Sequence, residues 1–277
     1  MKKYIPLLLL LLFTSLSFAQ HKEKIKGSKI VTLEPKEISS FNQIEIEDNL
    51  EVFLERGEKN EIKIEADDNL HEIIEFNLKD NILRIYTSKE AINYKKLIVR
   101  VTYTNTLDMV STKNQSSVNA IQQILLDNIT FKTNDNSQLY LNVNSKNFIL
   151  QADDKSKTEL NLKSENATIE LSKNSSLKAL VNAVDLKCDL YEKSNTTIEG
   201  DVTNANIRLD NSSTLKGNKL TVKNADVTTE GNSNCSLFVE TNIIVEAVGK
   251  SEIEILGAPK IEIRKFEGEA KLLKKLK

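Results

Sequence analysis

Residues 153–194 read DDKSKTELNLKSENATIELSKNSSLKALVNAVDLKCDLYEKS, and the pattern in them decides the fold. Ser156, Ser175 and Ser194 each lie in a short polar turn, and they stand 19 residues apart. Apolar and polar residues alternate between the turns: Leu160 and Leu162 follow the first, Ile169 and Leu171 precede the second, Leu177 follows it, and Leu186, Cys188 and Leu190 precede the third. A period of two puts alternate side chains on opposite faces of an extended chain, so each segment reads as a strand with one buried face.

The same turn recurs in both directions. Taking one serine from each turn gives Ser117, Ser137, Ser156, Ser175, Ser194, Ser213, Ser233 and Ser251, with separations of 20, 19, 19, 19, 19, 20 and 18 residues. Alternating segments follow the further turns at Leu139, Leu141 and Val143, at Ile198, at Leu215, at Leu237 and Val239, and at Ile253 and Ile255. Others precede them at Ile149, Ile207 and Leu209, Val227, Ile244, and Ile261 and Ile263; all of these are expected to face inward. No segment is long enough for a helix between turns, and Asn and Ser clusters interrupt the chain too often for βαβ units. A coil of about 19 residues with two or three short strands cannot bury its own apolar face, whereas a stack of such coils can. The expected fold is therefore all-β: a single-stranded right-handed parallel β-helix, with internal columns of Leu, Ile and Val and with Asn and Ser repeating at the turns.

The segment before the repeat also alternates, at Ile44 and Ile46, Leu50, Val52 and Leu54, Ile62 and Ile64, Leu83 and Ile85, and Leu97, Val99 and Val101. Arg56-Gly57-Glu58-Lys59-Asn60 and Lys79-Asp80-Asn81 read as hairpin turns or coil corners. One helical turn is expected to start at Asp67 or Asp68, with Leu70, Ile73 and Ile74 buried.

At the start of the chain, Lys2 and Lys3, an apolar run from Leu7 to Phe13, and Ser17 and Ala19 form the three parts of a secretory signal peptide, with cleavage expected after Ala19. Thr14, Ser15 and Ser17 interrupt the run before it reaches the roughly 20 apolar residues of a membrane span. No later segment is long and apolar enough to be a spanning helix. The expected organisation is a signal peptide over 1–19, a flexible mature N-terminus over 20–37, an N-terminal β cap with the first coils over 38–110, regular coils over 111–265, and a basic C-terminal cap or tail over 266–277. Export leaves three destinations open: periplasmic, outer-membrane-associated or extracellular. The 38 basic and 40 acidic residues balance to a net charge of −2, which argues against nucleic acid as a partner.

The chain resembles the bacterial auto-transporter adhesin, head GIN domain family, from Phe41 to Ile263. The resemblance lies in Phe41-Asn42-Gln43-Ile44-Glu45-Ile46, Leu50-Glu51-Val52-Phe53-Leu54-Glu55-Arg56-Gly57, Ile62-Lys63-Ile64-Glu65-Ala66 with Asp68-Asn69-Leu70, and Asn81-Ile82-Leu83-Arg84-Ile85. It ends with Glu246-Ala247-Val248-Gly249-Lys250-Ser251-Glu252-Ile253-Glu254-Ile255-Leu256-Gly257-Ala258-Pro259, which is similar to the family's closing coil. The resemblance implies an exported β-helix with adhesion as its role, and it carries over no catalytic or ligand residues. The family's turns are often glycine-rich, whereas Asn, Ser and Lys fill most of them here.

Several clusters invite a chemical reading. Asp67-Asp68-Asn69-Leu70-His71-Glu72 gathers carboxylates around a histidine. A metal site would need further convergent ligands, and the second histidine, His21, sits at the mature terminus. A helix N-cap with acids in its first turn accounts for the same residues. Asp153-Asp154 and Asp127-Asn128 could offer oxygen ligands to calcium but follow no calcium-binding nonapeptide, and Glu252 and Glu254 read as an outward pair. Ser/His/Asp catalysis lacks a placed histidine or nucleophile elbow, and phosphate and dinucleotide fingerprints are missing. Asn166-Ala167-Thr168 and Asn211-Ser212-Ser213 match a glycosylation pattern that Asn/Ser turns generate automatically. Cys188 and Cys235 share the parity of buried neighbours and lie about two and a half coils apart, roughly 12 Å of rise, so two free buried thiols are expected. We therefore expect no catalytic, metal or cofactor residues. The function expected is an adhesin-like binding scaffold, with a glycan or protein ligand at the cell surface and an oligomeric state that the sequence leaves open. The alternatives are a polysaccharide lyase or glycosidase, against which stand near-equal coils, few aromatics and no tryptophan, and a purely structural envelope rod.

Overall fold

The computed structural model describes residues 22–275; the expected signal peptide and His21 lie outside the described residues. Strands β1 (Lys24–Lys26), β2 (Val31–Glu37), β3 (Gln43–Ile46), β4 (Glu51–Arg56), β5 (Glu61–Asp67), β6 (Ile74–Lys79), β7 (Ile82–Thr87), β8 (Glu90–Ile92), β9 (Leu97–Tyr103) and β10 (Met109–Thr112) build the N-terminal part. Seven long strands follow: β11 (Ser117–Thr133), β12 (Gln138–Ala152), β13 (Lys157–Leu171), β14 (Ser176–Leu190), β15 (Asn195–Leu209), β16 (Thr214–Thr229) and β17 (Asn234–Gly249). Strands β18 (Glu252–Gly257), β19 (Lys260–Gly268) and β20 (Lys271–Lys275) close the chain. They form a parallel β-solenoid of about nine turns with about 19 residues per coil, and strand accounts for 72% of the chain.

From β11 to β17 each strand pairs in parallel with the next. The expected two or three short strands per coil are one continuous bent strand, because pairing runs through most of the corner and two successive outward residues there, such as Lys146 and Asn147, reverse the facing. That reversal corrects two expectations: Ile149 is 38% exposed while its neighbours Phe148 and Leu150 are buried, and Ile244 is only half-buried between buried Ile243 and Val245. Ile263 does stand over the buried Val245, but it is 52% exposed because no described rung covers it.

The interior consists of columns. One runs Leu83, Ile44, Val110, Phe131, Leu150, Ile169, Cys188, Ile207, Val227, Val245, each buried and directly over the last. Its first three members are out of chain order. β3 lies between β7 and β10, and β4 lies between β9 and β11, so the rung made first in sequence is second in the stack. The terminal rung, β7 and β9, is covered on its outer edge by antiparallel β6 and β5, with β2 antiparallel on β5. Pro35 in β2 lacks an N–H to offer a further strand, which blunts that edge. Lys79-Asp80-Asn81 is the turn of the β6–β7 hairpin. The Arg56–Asn60 link is not a hairpin turn, because β9 separates β4 from β5.

The serine turns are tight corners. In Asp153-Asp154-Lys155-Ser156 the Ser156 N–H donates to the Asp153 carbonyl at 3.1 Å, and Asp154 and Lys155 have φ of 42° and 60°. Two successive left-handed residues define a type I′ geometry, and the same pair occurs at Asn114/Gln115, Asp135/Asn136, Lys173/Asn174, Glu192/Lys193 and Asn211/Ser212. The turns also pair with one another, as when the Lys155 N–H donates to the Lys173 carbonyl at 2.9 Å. The repeating serine points inward and is fully buried; in the first turn it is Ser116 rather than Ser117, so that interval is 21 residues. A serine is small enough to fit at the corner, and its hydroxyl can reach a strand-end carbonyl, as Ser213 does with Leu190 at 2.9 Å.

Candidate functional site

The His71 region is a structural pin. Residues Asp68–Ile73 form a short 3-10 helix with Leu70, His71 and Ile73 buried, but the Asp67 carboxylate does not cap it. It accepts instead from the backbone N–H groups of Lys29 at 2.8 Å, Lys95 at 3.0 Å and Lys96 at 3.0 Å. Burial would raise its pKa, but these hydrogen bonds outweigh burial and hold Asp67 below the usual carboxylate value. A Cβ at Gly27 would collide with this carboxylate, so only glycine lets the chain pass so close. Asn69 holds the same segment, donating to the Lys26 carbonyl at 2.8 Å and accepting from the Ser28 N–H at 2.9 Å. The His71 Nε2 meets the Thr32 hydroxyl at 2.8 Å, and Nδ1 lies 3.3 Å from a Glu34 carboxylate oxygen. Asp67, Asn69 and His71 thus each face a different neighbour in the cap. Among the described residues no three His, Cys, Asp or Glu side chains gather as a metal site would need.

The other candidates also have neighbours of their own. Asp153 accepts from Lys173 Nζ at 2.8 Å and Ser172 Oγ at 2.9 Å; partial burial opposes its ionisation, but these bonds hold its pKa below the usual range. Asn128 accepts from Asn147 at 2.7 Å, the first link of an exposed amide ladder that continues through Asn166 and, past Asp185, to Asn204, Asn224 and Asn242. Glu252 and Glu254 point outward under β20, with Lys275 Nζ 2.7 Å from Glu254 and Lys271 Nζ 4.0 Å from Glu252, so the basic terminal segment covers β18 as a strand. Cys188 and Cys235 are free and buried in different columns. Burial drives both thiols upward, Cys235 to about 12, so neither is a nucleophile at neutral pH.

The flanks carry the open concavities. The first, of about 670 Å³, has a floor of Ala120, Leu141, Leu160 and Ala179, consecutive members of one column. Tyr140, Glu159, Lys178 and Thr197 line one wall; Asn142, Asn161, Leu180 and Glu199 line the other. These four are buried and face the interior, so the groove is shaped by the outward side chains on either side of them. Tyr140 and Leu180 are 39% and 45% exposed at positions where alternation places polar residues. A second groove, of about 580 Å³, lies along the amide ladder over the small residues Ala167, Ala205 and Ala225. Neither groove was located from sequence. The signal that marks the first is an apolar residue interrupting the alternation, in Leu139-Tyr140-Leu141 and Ala179-Leu180-Val181.

Together these features define the class: a parallel β-solenoid of near-equal coils, with polar pins in its cap and open grooves along its flanks. The chain belongs to the family described as "Putative auto-transporter adhesin, head GIN domain", which it matches over residues 40–180 and again over 155–259. Among solved structures, a putative adhesin from Parabacteroides merdae is similar at 17% identity and a TM-score of 0.65, over 91% of this chain and 99% of that one. A putative adhesin from Parabacteroides distasonis is similar at 18% identity and a TM-score of 0.63, over 90% and 99%. A putative lipid binding protein from the same species is similar at 14% identity and a TM-score of 0.63, over 91% and 100%. Identities this low carry the fold alone. Among curated proteins none matches the chain.

Proposed function

We propose that the protein is exported and acts at the cell envelope as a non-catalytic, adhesin-like scaffold that binds its ligand along the flank of the solenoid. One observation carries this reading: the first groove runs uninterrupted across successive coils, with apolar side chains exposed where the coil pattern calls for polar ones. Exposed apolar residues lining a concavity mark a binding surface. Family membership and the sequence features of a signal peptide support the adhesive role and the export.

The glycan-cleaving alternative is the less favoured. The two groove carboxylates, Glu159 and Glu199, stand two rungs apart, an axial rise of about 9.6 Å. The offset between opposite walls adds to this rise, placing the pair beyond the roughly 5–9.5 Å at which paired carboxylates cleave glycosidic bonds. Glu199 is also neutralised by Lys219 at 3.0 Å. The test combines a deletion strain, assayed for attachment, with arrays of glycans and matrix proteins probed with the purified protein. Loss of attachment together with saturable array binding is the expected result; turnover of a glycan, or unchanged attachment, overturns the reading.

A further inference from the structure

The first groove presents one pair of wall side chains per coil, at a spacing of about 4.8 Å. Its outer wall belongs to a column that continues toward the cap as Glu159, Tyr140, Asn119, Phe53 and Arg100. Two aromatic rings therefore share one outward column two rungs apart, and the Arg100 guanidinium lies 4.9 Å from the centre of the Phe53 ring. On the opposite wall Asn161 donates to Asn142 at 3.3 Å, which leaves the second N–H and the carbonyl oxygen of Asn161 for a ligand. The charges cancel: Glu159 and Glu199 are offset by Lys178 in the wall and Lys219 beside it.

Three ligand chemistries would meet this surface differently. An acyl chain would meet Tyr140 and Leu180 but desolvate the polar side chains of both walls without return. An extended peptide advances about 3.3 Å per residue and would fall out of step with the rungs. A pyranose ring offers an apolar C–H face to Tyr140 and Leu180, directs hydroxyl groups to amides and carboxylates on either side, and spans about one rung. Balanced charge selects against polyanions. Resting on the binding-scaffold reading above, the geometry points to a linear, uncharged glycan lying along the solenoid axis in the groove floored by Leu141, Leu160 and Ala179.

The test is calorimetric titration of the purified protein with neutral linear hexasaccharides of β-1,4-linked glucose, mannose and xylose, with hexagalacturonate as the charged comparison. At least one neutral hexasaccharide binds, and it binds more tightly than hexagalacturonate. Tyr140→Ala and Leu180→Arg each weaken that binding about ten-fold or more, while Asn206→Arg, in the second groove, changes it by less than about two-fold. Tyr140 and Leu180 are exposed, so both variants keep the wild-type circular dichroism and melting temperature. Binding by none of the neutral sugars, tighter binding of hexagalacturonate, or equal loss in Asn206→Arg overturns the glycan inference; attachment lost in the deletion strain would then leave the scaffold reading standing. Cleavage of a hexasaccharide overturns both.

Discussion

The N-terminal cap and the regular coils are built from similar strands yet are held together by different physics. From β11 to β17 each rung repeats its neighbour, contacts lie mostly between adjacent rungs, and the interior is a set of apolar columns with a serine at each corner. Stability in such an array is close to a sum of local interface terms. The cap is not repetitive. Its rungs stack out of chain order, two of its strand pairings on the terminal rung are antiparallel, and buried carboxylates fasten segments distant in sequence. Glu47 shows the device at the intercalated rung. It accepts from Arg84 at 2.6 Å on one side and pairs with Lys113 at 3.0 Å on the other, tying the rungs before and after its own. Burial alone would raise its pKa, but the two cations outweigh burial and hold it below the usual value. Repetition lets the coils tolerate local change, whereas the cap depends on single residues.

The sharpest test of that difference is Asp67→Ala. It removes the buried acceptor shared by three part-buried backbone N–H groups and is expected to cost roughly 1–3 kcal/mol in denaturant unfolding, with β2 and β5 losing hydrogen-exchange protection before the coils. The pH dependence has a definite sign. The folded pKa of Asp67 is depressed from an ordinary 3.8, so its contribution is complete above that value and is lost as pH falls below it. The wild-type cap therefore loosens in acid more steeply than an Asp67→Asn variant, and a flat difference between them across that window would contradict the pin.

A smaller effect, of opposite sign, belongs to the coil turns. Glu192 and Lys193 hold φ of 48° and 64° with full side chains. Lys193→Gly is expected to raise stability by about 0.5–1 kcal/mol, because relief of the left-handed strain exceeds the entropy that glycine adds to the unfolded chain. Asn174→Gly should gain less, since asparagine tolerates that region; equal gains would mean that the turns are unstrained.

The finest comparison lies within the serine column. The Ser213 hydroxyl bonds to the Leu190 carbonyl, whereas that of Ser194 is buried without a partner. Ser213→Ala is expected to cost about 1 kcal/mol and Ser194→Ala close to nothing, as read from paired denaturant curves.

The repeat was legible because a period of two within a period of 19 has no other economical reading, and Leu160, Ile198 and Ile255 are all buried as that reading requires. The family resemblance drawn from the strand motifs is matched over most of the chain. Errors fell where two apolar residues adjoin, as at Phe148 and Ile149, since alternation alone cannot choose between neighbours when a corner shifts the phase. The binding grooves were less legible still. Their walls come from exposed residues such as Tyr140 and Leu180 on different rungs, a relation between coils that no single coil contains.

By itself the sequence determined the architecture: alternation sets which face is buried, and the constant interval sets what stacks on what. Tertiary structure alone decided that the first rung in sequence is second in space, that Asp67 serves segments 29 and 95–96 rather than its own turn, and that exposed side chains of successive rungs line up as grooves. The physical reason is range. Periodicity is a local property of the chain, whereas a buried charge finds its donors, and a groove its walls, only among residues brought together by folding.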